Sequence, residues 1–397
     1  MRTVLGEVKG WLGAGQPVCL ARVVEVVGSG VQPAGAAIAA TASEVVGSAS
    51  GGCVEGALVE EARAALSGAA GPYLRTFGCS DDEAFDVGLT CGGLVRVLIE
   101  RLDPPSTELA RSVAWVDELL HLIASGQGAA LVEVIDGPTA LLGAKAIVSE
   151  GASEPLSFSG EGLAFATELL VDALEDLQAE RSATHAYRAW HGDQEVEVTA
   201  FVDSFPSPPH LLVVGAASFT SALVAQGKLL GYHVVVCDAR AVFASPRRFP
   251  QADAVVVDWP DRYLARHGPA LGPRDAVCVL THDPKFDVPT IVSALATGAG
   301  YIGVMGSRRT QADRKRRLRE AGVTVAELER LHGPIGLDLG AASPEETAVS
   351  IFAEIIAVQR GRTGGSLSAG GGPIHVVAPG EAGRPSIPVP KPAPIDP

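Results

Sequence analysis

The 397-residue chain predicts an α/β protein: an N-terminal α+β domain followed by a Rossmann-like domain with a doubly wound parallel sheet. Three observations carry that expectation. Short β-branched apolar runs recur at Leu211–Val214, Val234–Cys237, Ala254–Val257, Ala276–Leu280 and Tyr301–Val304. Measured between Val214, Val236, Val257, Val279 and Ile302, the steps are 22, 21, 22 and 23 residues. The runs are apolar on both faces and each precedes a helix-competent segment, the mark of doubly buried parallel strands. The intervening segments are not self-similar, which argues against a tandem repeat. Finally, Phe205-Pro206-Ser207-Pro208-Pro209-His210 can continue neither a helix nor a central strand, so it separates the two halves.

The elements follow in order. Thr3–Leu12 reads as a helix, Val18–Val27 as a strand, and two short strands surround Gly35–Ala40 and Val45–Ser48. Val54–Leu66 is helical, with Leu58, Ala62, Ala65 and Leu66 on one face. After a glycine-rich loop come a strand at Leu94–Leu102, a helix at Thr107–Ala124 and a hairpin over Ala129–Val148. The first domain is expected over residues 1–205; the pattern leaves open whether 104–205 forms a subdomain. The Rossmann-like domain is expected over 210–360 and ends on a well-specified helix. Ser343-Pro344-Glu345-Glu346 offers an N-cap, a proline at the first helical position and a capping-box glutamate. Ala348, Ile351, Phe352 and Ile355 then form one apolar stripe. Residues 361–397, with eight glycines and eight prolines in 37 positions, read as a disordered tail.

Composition narrows the function classes. Hydrophobic residues make up 47% of the chain and charged residues 19%, enough for sizeable cores. A net charge of −15 argues against a general nucleic-acid binder, so any anion must be gripped locally. The most apolar stretch, 129–148, is broken by Glu133, Asp136 and Lys145, and no segment reads as a membrane span or signal peptide. The chain is therefore expected in the cytoplasm with its six cysteines reduced. No Cys-x-x-Cys pair supports a structural zinc site.

Chemistry concentrates in a few loops. Gly47–Glu55 (GSASGGCVE) runs from a strand into a helix, placing Gly51, Gly52, Cys53 and Glu55 where backbone N–H groups and the helix dipole favour an anion or a thiolate. In a second loop, 78–93, Cys91 precedes Gly92 and Gly93 at a strand start. On spacing alone both loops read equally well as tight turns with small buried thiols. Cys19, Cys237 and Cys278 lie within apolar strands and are expected to be inert core. In the second half, Gly215-Ala216-Ala217-Ser218-Phe219-Thr220 keeps only the first glycine of a dinucleotide fingerprint. Asp238, 23 residues later, stands where an acid would hold a ribose hydroxyl, and Arg240 beside it is placed to meet a phosphate. His282, Asp283 and Asp287 follow the fourth strand at the ligand-binding edge, although Asp283 before Pro284 is also a plain N-cap. Gly306-Ser307-Arg308-Arg309 follow the fifth; two arginines in a first helical turn call for a compensating anion. The basic run Arg314–Arg319 reads as a solvated helix face.

At these residues the chain resembles the XdhC/CoxI family, accessory proteins for xanthine dehydrogenase and related molybdenum hydroxylases. The resemblance runs from about Val23 to Val358. It is carried by Gly47–Glu55, Asp86–Gly93 (DVGLTCGG), Val236–Arg240 (VCDAR), Thr281–Asp287 (THDPKFD), Tyr301–Arg309 (YIGVMGSRR) and Pro334–Glu346 (PIGLDLGAASPEE). It implies a non-catalytic maturation chaperone. Such a protein binds molybdenum cofactor, as molybdopterin or its dinucleotide, and holds it while a cysteine desulfurase supplies sulfide. It then delivers the cofactor to the apo-hydroxylase. Cys53 and Cys91 match the family's cysteine motifs, which implies sulfur handling or proximity to the molybdenum. Arg308 and Arg309 would hold the pterin phosphate or nucleotide, and a homodimer is expected. Departures are Val31 and Gln32 in place of Pro-Arg, and Gly215-Ala216-Ala217-Ser218 in place of Gly-Ala-Gly-His.

Two other readings compete. An NAD(P)-dependent oxidoreductase would use the Rossmann domain and Asp238, but no hydride-transfer acid/base constellation accompanies it. A xanthine dehydrogenase outright would need an iron–sulfur cysteine pattern and flavin and molybdenum domains that 397 residues cannot accommodate.

Overall fold

The structure, a computed structural model, describes residues 1–27, 32–52, 54–68, 71–78, 94–105, 113–152, 157–159, 166–191, 194–370 and 387–388. It forms two compact units, Met1–Ser207, which also takes in the two-residue strand Ile387–Pro388, and Pro208–Val376.

In the first unit, one antiparallel sheet contains β1 (Val18–Val27), β2 (Ala37–Ala40), β3 (Val45–Ser48), β4 (Tyr73–Gly78) and β5 (Leu94–Leu102), in the order β3-β2-β1-β5-β4. β1 is buried on both faces because helices cover each side. Leu20 packs with α1 (Leu5–Gly13) and α3 (Ala114–Ala124), while Cys19, Ala21 and Val23 pack with α2 (Glu55–Ser67). Leu58, Ala62 and Ala65 form the buried face of α2, as the sequence spacing predicts. The predicted start of α3, 107–112, lies outside the described residues. A second sheet holds β6 (Ala129–Asp136), β7 (Lys145–Ser149), β8 (Ser157–Ser159), β9 (Ala183–His191) and β10 (Gln194–Phe205), with α4 (Ala166–Gln178) against it. β6 and β7 are the expected hairpin, antiparallel with Glu133 opposite Lys145.

The second unit is a parallel sheet of β11 (His210–Val214), β12 (His233–Asp238), β13 (Ala254–Val257), β14 (Ala276–Val279), β15 (Tyr301–Val304) and β16 (Leu331–His332). The order β13-β12-β11-β14-β15-β16 is the doubly wound Rossmann arrangement, with its topological switch between β11 and β14. On one face lie α5 (Thr220–Leu229) and α10 (Pro344–Gln359), where Leu223, Phe352 and Ile355 are buried. On the other lie α6 (Pro260–His267), α7 (Pro284–Leu295), α8 (Arg308–Glu320) and α9 (Val325–Glu329). The capping box at Ser343 and Glu346 forms, as its residue types require. The two-residue β16 is too short to show any periodicity and is the strand of this sheet that the sequence pattern missed; in the first unit the pattern also missed β4, β8, β9 and β10. Residues 361–370 are exposed; 371–386 and 389–397 lie outside the described residues.

Candidate functional site

At the switch point the turns after β11 and β14 diverge and leave a pocket of about 480 Å³. Its walls are Gly215, Ala216 and Ala217 after β11, Arg240 and Phe243 after β12, Leu280 to Asp283 after β14, and Phe286 of α7. Gly215 has φ +103°, and a β-carbon there would meet the Thr281 methyl at 2.7 Å. Only glycine lets the two turns pass this closely.

The acids of this edge serve the chain itself. Asp238 is 3% exposed. Its carboxylate accepts the Ala216 N–H at 2.8 Å, the Arg240 N–H at 2.9 Å, and Arg240 Nε and Nη2 at 2.9 and 2.7 Å. Burial alone would raise its pKa, but the Arg240 side chain and the two backbone donors hold it lower than an ordinary aspartate's. The acceptor expected for a ribose hydroxyl is thus fully engaged. Arg240, half exposed and 4.6 Å from the Phe243 ring centroid, is held rigidly at the pocket wall. The next N–H, of Ala217, donates to Thr220 Oγ1 at 3.1 Å, and that hydroxyl donates to Gly215 O at 2.7 Å. Two N–H groups that a pyrophosphate would use at such a turn are therefore satisfied internally.

His282 and Asp283 stand exposed at the pocket, and Asp283 caps α7 by accepting the Lys285 N–H at 3.0 Å. Asp287 faces the other way. Buried, it accepts from the Thr281 hydroxyl and from Arg314 Nη2 at 2.7 Å, tying α7 to α8. Arg314 is consequently buried, contrary to the solvated-face expectation for that position. Gly306, Ser307, Arg308 and Arg309 start α8 outside the pocket lining; Ser307 accepts the Thr310 N–H at 3.1 Å, and both arginines are exposed. The sequence reading missed Phe243, Thr281 and Phe286. Thr281 and Phe286 lie inside the THDPKFD stretch, and an aromatic three residues beyond Arg240 was the available signal for Phe243.

In the first unit, the 47–55 loop has its own anion. Glu55 accepts from Ser48 Oγ (2.8 Å), Ser50 N (2.9 Å), Ser50 Oγ (2.5 Å) and Gly52 N (2.8 Å). Partial burial works against these bonds, yet they bring its pKa down to about 2. The N–H groups expected to receive a ligand anion therefore hold this carboxylate. Gly51 lies exposed in the same turn. Cys53, Cys91, Gly92 and Gly93 lie outside the described residues. Cys19, Cys237 and Cys278 are buried, and burial pushes the thiols of Cys19 and Cys237 up to about 12, which makes them poor nucleophiles. Among the described residues, no group of three His, Cys, Asp or Glu is placed to hold a metal, and no helix is long and apolar enough to cross a membrane.

The chain thus combines an antiparallel unit with a Rossmann-type unit that carries a pocket at its switch point. Residues 211–355 match the XdhC Rossmann domain and residues 11–78 match the XdhC and CoxI family. The chain belongs to the XdhC/CoxI family of accessory proteins. It is 29% identical over 346 residues to a probable xanthine dehydrogenase subunit from Bacillus subtilis, covering 86% of this chain and 93% of that one. Over 84 residues it is 31% identical to the molybdenum cofactor insertion chaperone PaoD of Escherichia coli, covering 21% of this chain and 26% of PaoD. A crystal structure of a xanthine dehydrogenase from Bacillus halodurans shares the fold, with TM-score 0.64, 23% identity, and coverage of 95% and 98%.

Proposed function

We propose that this protein is a maturation chaperone that holds molybdenum cofactor for sulfuration and inserts it into an apo molybdenum hydroxylase of the xanthine dehydrogenase or carbon monoxide dehydrogenase type. Family membership and the segment shared with PaoD support the reading. The observation that carries it is the switch-point pocket, where a guanidinium fixed by a buried carboxylate stands beside two phenyl rings.

In this reading the cofactor is cargo. Phe243 and Phe286 offer apolar faces to a planar pterin, and Arg240, already oriented by Asp238, binds an anionic group without further ordering cost. His282 and Asp283 supply polar contacts at the rim. Cys53 and Cys91 are assigned to the sulfur side, where thiolates suit a soft metal and a persulfide donor. A cysteine desulfurase is the sulfur source, the cytoplasm the working compartment, and a homodimer the assembly.

An NAD(P)-dependent oxidoreductase fits less well, because Asp238 and the Ala216 and Ala217 N–H groups are engaged with one another and with Thr220. The test is molybdenum and pterin content after anaerobic incubation with free cofactor and gel filtration. We expect retention by the wild type, loss in Cys53→Ala/Cys91→Ala and weakening in Arg240→Ala. Equal retention by all three would overturn the assignment, and tight NAD(P)H binding without retention would favour the oxidoreductase.

A further inference from the structure

We infer that the N-terminus of α8 is a phosphoryl-binding subsite in which the buried guanidinium of Arg314 takes part. The identity of its natural ligand rests on the cofactor-holding reading; the existence of the subsite does not.

The neighbouring helices at this sheet edge are already neutralised. Asp238 takes the Ala216 N–H in the turn leading to α5, Asp258 takes the Trp259 N–H ahead of α6 at 2.8 Å, and Asp283 caps α7. The start of α8 has only the neutral Ser307 hydroxyl, no acid in its first turn, and Arg308 and Arg309 instead. The N–H groups of Arg308 and Arg309 have no acceptor within the helix. Among the described residues, Arg308 meets only Asp338, at 3.8 Å, in a pair where both side chains are 89% exposed.

The independent observation is Arg314. It is 4% exposed, its Nη2 is bonded to Asp287, and its Nη1 is buried without a hydrogen-bond partner among the described residues. Side chains in a helix lean toward its N-terminus, and Arg314 reaches past Thr310 toward Gly306. Nη1 lies 3.4 Å from where a β-carbon on Gly306 would stand, and Thr310 lies 3.3 Å from the same point. Gly306 has φ +143°, a backbone that side chains rarely allow, so this notch stays free of a β-carbon. An unpaired buried guanidinium N–H, two open backbone N–H groups and the Ser307 and Thr310 hydroxyls, hydrogen-bonded to each other at 2.9 Å so that one O–H is left over, thus lie at one helix end. That donor set, with two exposed arginines in the same first turn, suits a phosphate monoester or diphosphate. Asp287 joins this end to the pocket, since the same carboxylate that holds Arg314 receives the Thr281 hydroxyl. β14 and β15 are adjacent strands, so the subsite lies one strand over from the pocket.

The test is calorimetric titration of the full chain with inorganic phosphate and, in a parallel arm, with cytidine diphosphate. Preference for one or the other tells a terminal phosphate from a diphosphate. Ser307→Asp keeps a good N-cap but fills the site with a carboxylate, and Arg314→Lys keeps a charge for Asp287 while withdrawing the free N–H. Both should weaken binding by roughly tenfold or more, whereas Arg316→Ala, farther along the helix, should leave it unchanged. No binding by the wild type, or equal binding in Ser307→Asp and Arg314→Lys, would overturn the subsite. Molybdenum and pterin retention is measured on the same samples. Retention without phosphate binding sinks the subsite alone; phosphate binding without retention sinks the cofactor reading alone.

Discussion

Asp238 and Glu55 pose one problem at the residue scale. Each is an acid beside a glycine turn, and each spends its carboxylate on the chain's own N–H groups. Asp238→Asn would put an amide where Arg240 and Ala216 need an acceptor. It should destabilise the C-terminal unit by about 2 kcal/mol in urea unfolding, in line with hydrogen bonds to charged groups. An unchanged midpoint would mean that these bonds do not hold the turn. Glu55 has a depressed pKa, so its contribution is complete above the ordinary glutamate range and fades only as pH falls toward about 2. The Ser50 and Gly52 amides should therefore resist hydrogen exchange through the range where a free glutamate titrates. In Glu55→Gln they should exchange freely at every pH. Loss of wild-type protection across that ordinary range would contradict the bracing role.

At the element scale, two kinds of joint behave differently. The Ser343 capping box is local, so Ser343→Ala should cost about 1 kcal/mol, read as a shift in the urea midpoint. The first unit is joined by buried charge: Arg22 on β1 and Glu100 on β5 meet Glu133 on β6 and Lys145 on β7. Lys145 Nζ lies 2.5 Å from Glu100 and 3.0 Å from Glu133, and Arg22 bonds directly to Glu133. Burial would raise the Glu133 pKa, but the two cations lower it, so its carboxylate stays charged. Glu133→Gln leaves the two buried cations, Arg22 and Lys145, sharing the single carboxylate of Glu100 and should cost about 3–5 kcal/mol. A loss below about 1 kcal/mol would show that water reaches the cluster. The cap was legible in the sequence because its partners are three residues apart. The charge layer was not, because Arg22 and Glu133 are 111 residues apart and only the packing of two sheets brings them together.

For the whole molecule, each unit has its own core, and the boundary falls in the proline-rich stretch around Ser207. A fragment over residues 208–370 should fold alone and melt cooperatively by circular dichroism. A non-cooperative melt would mean that its core is incomplete without the first unit.

The parallel sheet was already written in the order of residues, because strands buried on both faces leave continuous apolar runs at a near-constant step. So was the placement of Gly215, Arg240, His282 and Asp283 after strand ends, and the doubly wound topology then gathers them at one switch point. The direction in which each charged group points came only with folding. Asp287 turns from the pocket to Arg314, Asp238 and Glu55 turn inward to N–H groups, and Arg314 leaves solvent for the core. Residue type states that a carboxylate will find donors. Which donors lie within 3 Å is set by turns and helix ends that meet only after the chain has folded.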